Sequence, residues 1–188
     1  RTALNFLQRM SGIATLTDEY VQAVDGTSSS ITDTRKTVPG LRLLDKYSVS
    51  IGGGRNHRMS LADGVLIKDN HLAALQAEGV DLGQAIKRAR ARAPHTVKIE
   101  VEVESIEAAI AAAHAGADIV MLDNMSPAEM RTAVDQIAAD CTVEASGGIT
   151  LANVAEVAQS GVDIISIGAL THSPRALDIS LDYETKNA

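Results

Sequence analysis

The residues that could do chemistry fall into a cationic set and a carboxylate set. The cations are Arg35 and Lys36 in "DTRKTVPG", Arg55, His57 and Arg58 in "GGGRNHR", and Lys68 in "LIKDNH". The carboxylates are Glu100, Glu102 and Glu104 in "KIEVEVES", Asp123 in "MLDN" and Glu144 in "EASGGIT". A lone Arg-Lys pair ordinarily faces water. Here, however, the stretch from Ile31 to His71 holds seven basic residues (Arg35, Lys36, Arg42, Lys46, Arg55, Arg58, Lys68) against four acidic ones (Asp33, Asp45, Asp63, Asp69), in a chain with 17 basic and 24 acidic residues overall. A basic stretch in an acidic protein suits a small polyanion, and arginine suits planar carboxylates held through two hydrogen bonds.

The carboxylates point to a different partner. Strand alternation puts Glu100, Glu102 and Glu104 on one face and Ile99, Val101 and Val103 on the other. A solvent-facing edge strand would account for this. A central parallel strand is normally apolar on both faces, so inward carboxylates there need cations or a metal ion. Asp123, ending the next strand, can join Glu102 in holding Mg²⁺, directly or through water, beside a phosphate. No His/Cys spacing suggests zinc. Ser146-Gly147-Gly148 and Gly168-Ala169 close the last two strands, where backbone N–H groups and a helix expected from Leu151 can meet an anion. The glycines of "GGGRNHR" lack the spacing of a dinucleotide-binding loop.

These residues need elements to position them. Apolar, β-branched runs at Ile31 to Thr34, Val65 to Ile67, Val97 to Val103, Asp118 to Leu122, Thr142-Val143 and Asp163 to Ile167 read as six strands. Helical patterns separate the later ones: Leu72 to Leu75 with Leu82 to Ala93, Ile106 to Ala115, Pro127 to Ala139, and Leu151 to Gln159. Gly116 and Gly161 suit left-handed caps. Leu4 to Val24 reads as one long helix or two bent near Gly12, and Pro39-Gly40 as a turn leading into a further helix. Alternating strand and helix makes this an α/β fold with parallel strands, either doubly wound or a barrel. Every strand ends in a polar or glycine-rich cluster, whereas an open sheet concentrates its site at one switch point. The spread favours an incomplete, TIM-like parallel α/β barrel of about six strands with a leading N-terminal helix, spanning residues 1–188 as one domain.

Composition narrows the function. Apolar residues make up 45% of the chain and aromatics 2%, so the core is aliphatic. The net charge of −7 argues against nucleic acid. There is no membrane span and no signal peptide. The single cysteine, Cys141, reads as structural and fits a reducing, cytoplasmic setting. Arg1 lies inside a helical pattern without initiator Met, so the chain is expected to be a piece of a longer protein.

The blocks "RTALNFLQRMSGIAT", "DTRKTVPGLRLLDKY", "GGGRNHRMSLADGVLIKDNH", "KIEVEVES", "MLDN", "EASGGIT" and "SIGALTHS", in order over essentially the whole chain, resemble the quinolinate phosphoribosyltransferase family (carboxylating nicotinate-nucleotide pyrophosphorylases), specifically its C-terminal barrel domain. The resemblance implies Mg²⁺-dependent transfer of phosphoribose from phosphoribosyl pyrophosphate to quinolinate with release of CO₂ and pyrophosphate, giving nicotinate mononucleotide for NAD biosynthesis. It implies quinolinate contacts from Thr34, Arg35, Lys36, His57, Arg58 and Lys68, and from Arg1 reaching into a neighbouring subunit of a homodimer or larger homo-oligomer. It implies Glu102 and Asp123 at the ribose and Mg²⁺-pyrophosphate end, and Ser146, Gly147, Gly148, Gly168 and Ala169 around the 5′-phosphate. Lys36, Lys68, Glu102 and Asp123 are then the catalytic set, and His172 matches a nearby position with no role assigned. The alternatives are a molybdenum-operon homologue, a phosphoribosyltransferase for another acidic ring, or a barrel that binds a phosphorylated ligand without turnover.

Overall fold

The computed structural model describes residues 1–183. A helix α1 (Thr2–Ala23) leads into β1 (Ser30–Thr32), α2 (Arg42–Ile51), β2 (Val65–Ile67), α3 (Asp69–Ala77) and α4 (Leu82–Arg92). There follow β3 (Ile99–Val103), α5 (Ile106–His114), β4 (Ile119–Asp123), α6 (Pro127–Ile137), β5 (Thr142–Ser146), α7 (Val154–Gln159), β6 (Ile164–Ser166) and α8 (Ala169–His172). Helix starts are marked by residues that accept an otherwise unpartnered backbone N–H. Asp81 accepts from Gln84 at 2.7 Å and Ser105 from Ala108 at 3.2 Å. Ser126 and Glu129 cap α6 reciprocally, with Pro127 in its first turn.

All pairings are parallel, in the order β1-β6-β5-β4-β3-β2. A doubly wound sheet would bury β1 among its neighbours. Here the first strand pairs with the last, Ser30 opposite Ile164, as winding in one direction around a barrel requires. The ring is open between β1 and β2. Arg55 narrows the opening, since its N–H donates to Ile31 O at 2.8 Å and its carbonyl accepts from Asp33 N at 3.2 Å.

The outer faces of the strands carry the core. Ile99, Val101, Val103, Val120, Leu122, Val143 and Ile165 are buried, and with Ala109 and Ala112 of α5 and Met130, Ala133 and Ile137 of α6 they form one cluster. Small alanines let the helices sit close on a sheet that has almost no aromatic residues. The inner face, set by alternation and register, carries Glu100 and Glu102 beside Ile119 and Met121, then Glu144 and Asp123 beside Ser146.

The structure adjusts several boundaries. The first strand stops at Thr32, so Thr34-Arg35-Lys36 lies in the following loop, and the third starts at Ile99 rather than Val97. β3 is paired on both sides and is no edge strand. α1 is one continuous helix. The last long helix starts at Val154, because Thr150 to Asn153 form a turn in which Asn153 Oδ1 accepts from Thr150 N at 2.7 Å.

Candidate active site

The strand ends surround a cavity of about 380 Å³ at one rim of the barrel. Thr34, Arg35 and Lys36 line it from the loop after β1, His57 and Arg58 from the loop before β2, and Lys68 from the end of β2. Across from them stand Glu102, Asp123, Ser146 and Ser166, one from each of the four remaining strands. Arg35, Lys36, His57, Arg58 and Lys68 thus share one cavity with Glu102 and Asp123, whereas Arg55, Glu100 and Glu144 line a second cavity.

Each wall is fixed by contacts below it. Thr34 Oγ1 accepts from Lys36 N at 3.0 Å, and Lys36 O accepts from Thr171 Oγ1 at 2.8 Å, which folds the loop over α8. Arg42 braces the same loop, donating to Arg35 O at 3.2 Å and Thr37 Oγ1 at 3.1 Å. A buried clasp then ties this loop to the next. Asp33 and Lys46 are both fully buried and paired; Asp33 also accepts from His57 N and Asn56 Nδ2, each at 2.8 Å, and Lys46 donates to His57 O at 3.0 Å. Arg58 reaches back to Gly64 O at 3.0 Å.

The cationic wall holds an unused donor: Arg35 Nε is buried and has no hydrogen-bond partner among the described residues. Burial pushes the Arg58 pKa down, and the neighbouring Arg35 pushes it further, while Glu100 and Glu144 oppose the shift. On the other wall, burial and the facing Glu102 raise the Asp123 carboxyl above its ordinary value, against the pull of Lys68 and Lys36. Crowded cations opposite crowded carboxylates are arranged to meet an anion and a cation respectively. Lys68 Nζ is paired with Glu102 Oε2 and so bridges the walls. Asp123 Oδ2 accepts from Asn124 Nδ2 at 2.7 Å.

The glycine corners lie beside this cavity. Gly147 and Gly148 both have positive φ, +83° and +63°, which aims the turn after β5 along the rim. At Gly147 a Cβ would sit 2.3 Å from Asn124 Oδ1, so the loops after β4 and β5 touch there. Gly168 caps α8 against the Lys36 chain and the His172 ring, with Ala169 opening the helix. Arg1 is exposed at the start of α1 and does not line the cavity. Glu104 lies past the end of β3 and is exposed.

His57 occupies an unexpected position. Its Nδ1 accepts from Arg58 N at 2.8 Å, and its Nε2 faces the buried Glu100 and Glu144 beneath the cavity, at 3.4 and 3.5 Å. Burial alone would lower its pKa, but the two carboxylates outweigh that and push it up to about 10. With Nδ1 accepting from Arg58 N, the ring proton lies on Nε2 and faces the two carboxylates. Alternation identified Glu100 as inward. Glu144 and the Lys46–Asp33 clasp carried no sequence signal beyond their type.

The family described as quinolinate phosphoribosyl transferase, C-terminal domain, matches residues 13–182. A probable nicotinate-nucleotide pyrophosphorylase [carboxylating] of Bacillus subtilis is 49% identical over 187 residues, covering 100% of this chain and 63% of that protein. The human nicotinate-nucleotide pyrophosphorylase [carboxylating] is 44% identical, covering 99% of this chain and 63% of its own length. NadC from Streptococcus pyogenes superposes with a TM-score of 0.91 at 46% identity, covering 97% of this chain and 63% of that one. The chain thus spans a little under two thirds of the relatives it matches. Its single-wound parallel sheet, its two-walled rim and the match over residues 13–182 show that it belongs to the quinolinate phosphoribosyl transferase C-terminal domain family.

Proposed function

We propose that the protein containing this chain transfers phosphoribose from phosphoribosyl pyrophosphate to quinolinate, with loss of CO₂, giving nicotinate mononucleotide and pyrophosphate for NAD biosynthesis. The observation that carries this reading is the buried, unpartnered Arg35 Nε in a wall shared with Lys36, His57, Arg58 and Lys68. Such a donor is costly unless an anion completes it. Two adjacent ring carboxylates supply enough negative charge to engage several of these groups at once, with Thr34 beside them.

In the reaction, the pyridine nitrogen forms a bond to the anomeric carbon as the bond to pyrophosphate breaks. The carbon–carboxylate bond beside the nitrogen then yields CO₂, and its electron pair remains on the ring carbon until a proton arrives. Arg35 and Arg58 orient the ring. Lys36 and Lys68 offset the charge that builds on it. Glu102 and Asp123 stand where the sugar gains positive character, and anionic side chains stabilise such a state. Both are hard oxygen donors on neighbouring strands, and burial with the neighbouring Glu102 raises the Asp123 carboxyl, a crowding of carboxylates that a divalent cation would relieve, so the pair fits Mg²⁺. Bound there, Mg²⁺ would offset the charge of the departing pyrophosphate. Backbone N–H groups at Ser146, Gly147, Gly148, Gly168 and Ala169 hold the 5′-phosphate. Arg1, exposed, serves the cavity of a neighbouring subunit in a homo-oligomer, and the enzyme works in the cytoplasm.

The test is to supply the complete protein with quinolinate, phosphoribosyl pyrophosphate and Mg²⁺ and to measure CO₂ and nicotinate mononucleotide. Turnover of a different ring acid, or binding without turnover, refutes the proposal. Arg35→Ala is expected to raise the KM for quinolinate by about 10- to 100-fold, the loss of one charged hydrogen-bonded contact. Weakening of phosphoribosyl pyrophosphate alone would reverse the assignment of the walls.

A further inference from the structure

Glu100 of β3 and Glu144 of β5 are almost wholly buried, with 5% and 1% of their surface exposed. They line the second cavity and not the one at the rim, so neither stands where a substrate would lie among the strand ends. Both face His57, whose Nε2 is 3.4 Å from Glu100 Oε2 and 3.5 Å from Glu144 Oε1. Glu144 Oε1 has no hydrogen-bond partner among the described residues. A buried carboxylate oxygen in that state calls for a reason.

The reason lies in what His57 does for Arg58. Its Nδ1 accepts the Arg58 backbone N–H at 2.8 Å, which requires a lone pair there and puts the ring proton on Nε2. The other neutral tautomer would set N–H against N–H at Arg58 and a lone pair against two carboxylates. A flipped ring would place carbon atoms at both contacts. The two carboxylates therefore select one tautomer and one ring orientation. At 3.4 and 3.5 Å they act through charge, since direct N–H···O bonds run to about 3.2 Å, and charge acts strongly in the interior. They also draw a second proton towards the ring, but Nδ1 can take it only by giving up the Arg58 N–H.

The His57 main chain is held separately: Asp33 accepts its N–H at 2.8 Å and Lys46 donates to its carbonyl at 3.0 Å. That clasp fixes the backbone and leaves the ring to be fixed by its two nitrogens. Arg58 continues the line towards the rim, donating to Gly64 O at 3.0 Å and lining the rim cavity with Arg35. Glu100 and Glu144 offset the repulsion that Arg58 meets from Arg35.

We propose that Glu144, together with Glu100, is a positioning residue for quinolinate: it holds the His57 ring with its proton on Nε2, so that Nδ1 fixes the Arg58 main chain and Arg58 meets a substrate carboxylate in one orientation. This role rests on the assignment of quinolinate to the cationic wall. No linear motif marks it, since Glu100, Glu144 and His57 come from three separate elements.

In the complete protein, Glu144→Met removes both the acceptor and the charge. It is expected to raise the KM for quinolinate by about 10-fold, the scale of one buried donor left unmatched. The kcat and the KM for phosphoribosyl pyrophosphate should change little. Glu144→Gln keeps an oxygen acceptor at the same reach and should recover most of the loss. Equal rises in both KM values would make Glu144 a structural residue only, and Gln as damaging as Met would make it a bare countercharge; either result overturns the proposal. Should these variants not fold, nitrogen NMR of the isotope-labelled, unsubstituted protein at neutral pH reads the ring directly. The His57 signal, assigned by its loss in His57→Gln, is expected to show a protonated Nε2 and an unprotonated Nδ1, and a protonated Nδ1 overturns the proposal. An unsubstituted protein that shows this tautomer but does not turn over quinolinate refutes the substrate and not the arrangement.

Discussion

Lys46 shows what single residues contribute here. It is the largest wholly buried side chain, and a lone ammonium at that depth would not be tolerated. Asp33 pairs with it and also accepts from the His57 and Asn56 groups, so one carboxylate orders the loops that carry Arg35 and Arg58. Lys46→Met should cost about 3–5 kcal/mol in chemical denaturation, because it strands a buried carboxylate. Adding Asp33→Asn should recover part of that loss; simple additivity of the two costs would show that the pair is not coupled. Cys141 illustrates a quieter residue. Burial, then Asp140 and Asp163, push its thiol above the ordinary value. It should therefore be alkylated by iodoacetamide more slowly than free cysteine at neutral pH, with mass spectrometry following the rate, and should speed up only in more alkaline solution. Fast labelling at pH 7 would contradict this.

At the scale of elements, the rim depends on how neighbouring loops touch. Gly147 packs where any Cβ would meet Asn124 Oδ1 at 2.3 Å and Asn124 N at 2.8 Å, and its φ is +83°. Gly147→Ala should cost about 1–3 kcal/mol in stability, the range for a non-glycine residue held in such backbone. In steady-state kinetics it should raise the KM for phosphoribosyl pyrophosphate far more than that for quinolinate. Equal effects on both would mean that this corner serves the whole cavity. The elements themselves were largely legible. β3 to β5 are five-residue strands with aliphatic residues on the outer face, set between helices that carry alanine on their buried side. The shorter parts were less so. β1 has only three residues, so its extent was misjudged, and four-residue α8 had no periodicity to read. Of the site, the two charged walls were visible because strand ends share a rim. The convergence of His57 on Glu100 and Glu144 was not, because it depends on the path of an irregular loop between α2 and β2.

For the molecule as a whole, the decisive feature is a ring of strands that winds one way and stays open between β1 and β2. Interior strands β3, β4, β5 and β6 each have two partners in the sheet, whereas β2 has only β3. β1 has β6 and, on its other side, the single Arg55 bridge. An amide that opens by local fluctuation exchanges faster than one that needs global unfolding. Hydrogen exchange should therefore be slowest for Ile99–Val103, Ile119–Asp123 and Thr142–Ser146, whose outer faces also bear the aliphatic core. Val65–Ile67 should exchange faster, through openings that leave the rest folded, and Ser30–Thr32 at an intermediate rate set by the Arg55 bridge. The contrast matters for function, because Lys68 and the loop bearing Arg35 hang from these two less protected strands, while Glu102 and Asp123 hang from the protected ones. The carboxylate wall is thus built on the rigid part of the ring and the cationic wall on the part free to adjust. Mass-resolved exchange on peptides covering β1, β2 and β4 checks this, and equal protection of β2 and β4 would show that the opening does not divide the molecule mechanically.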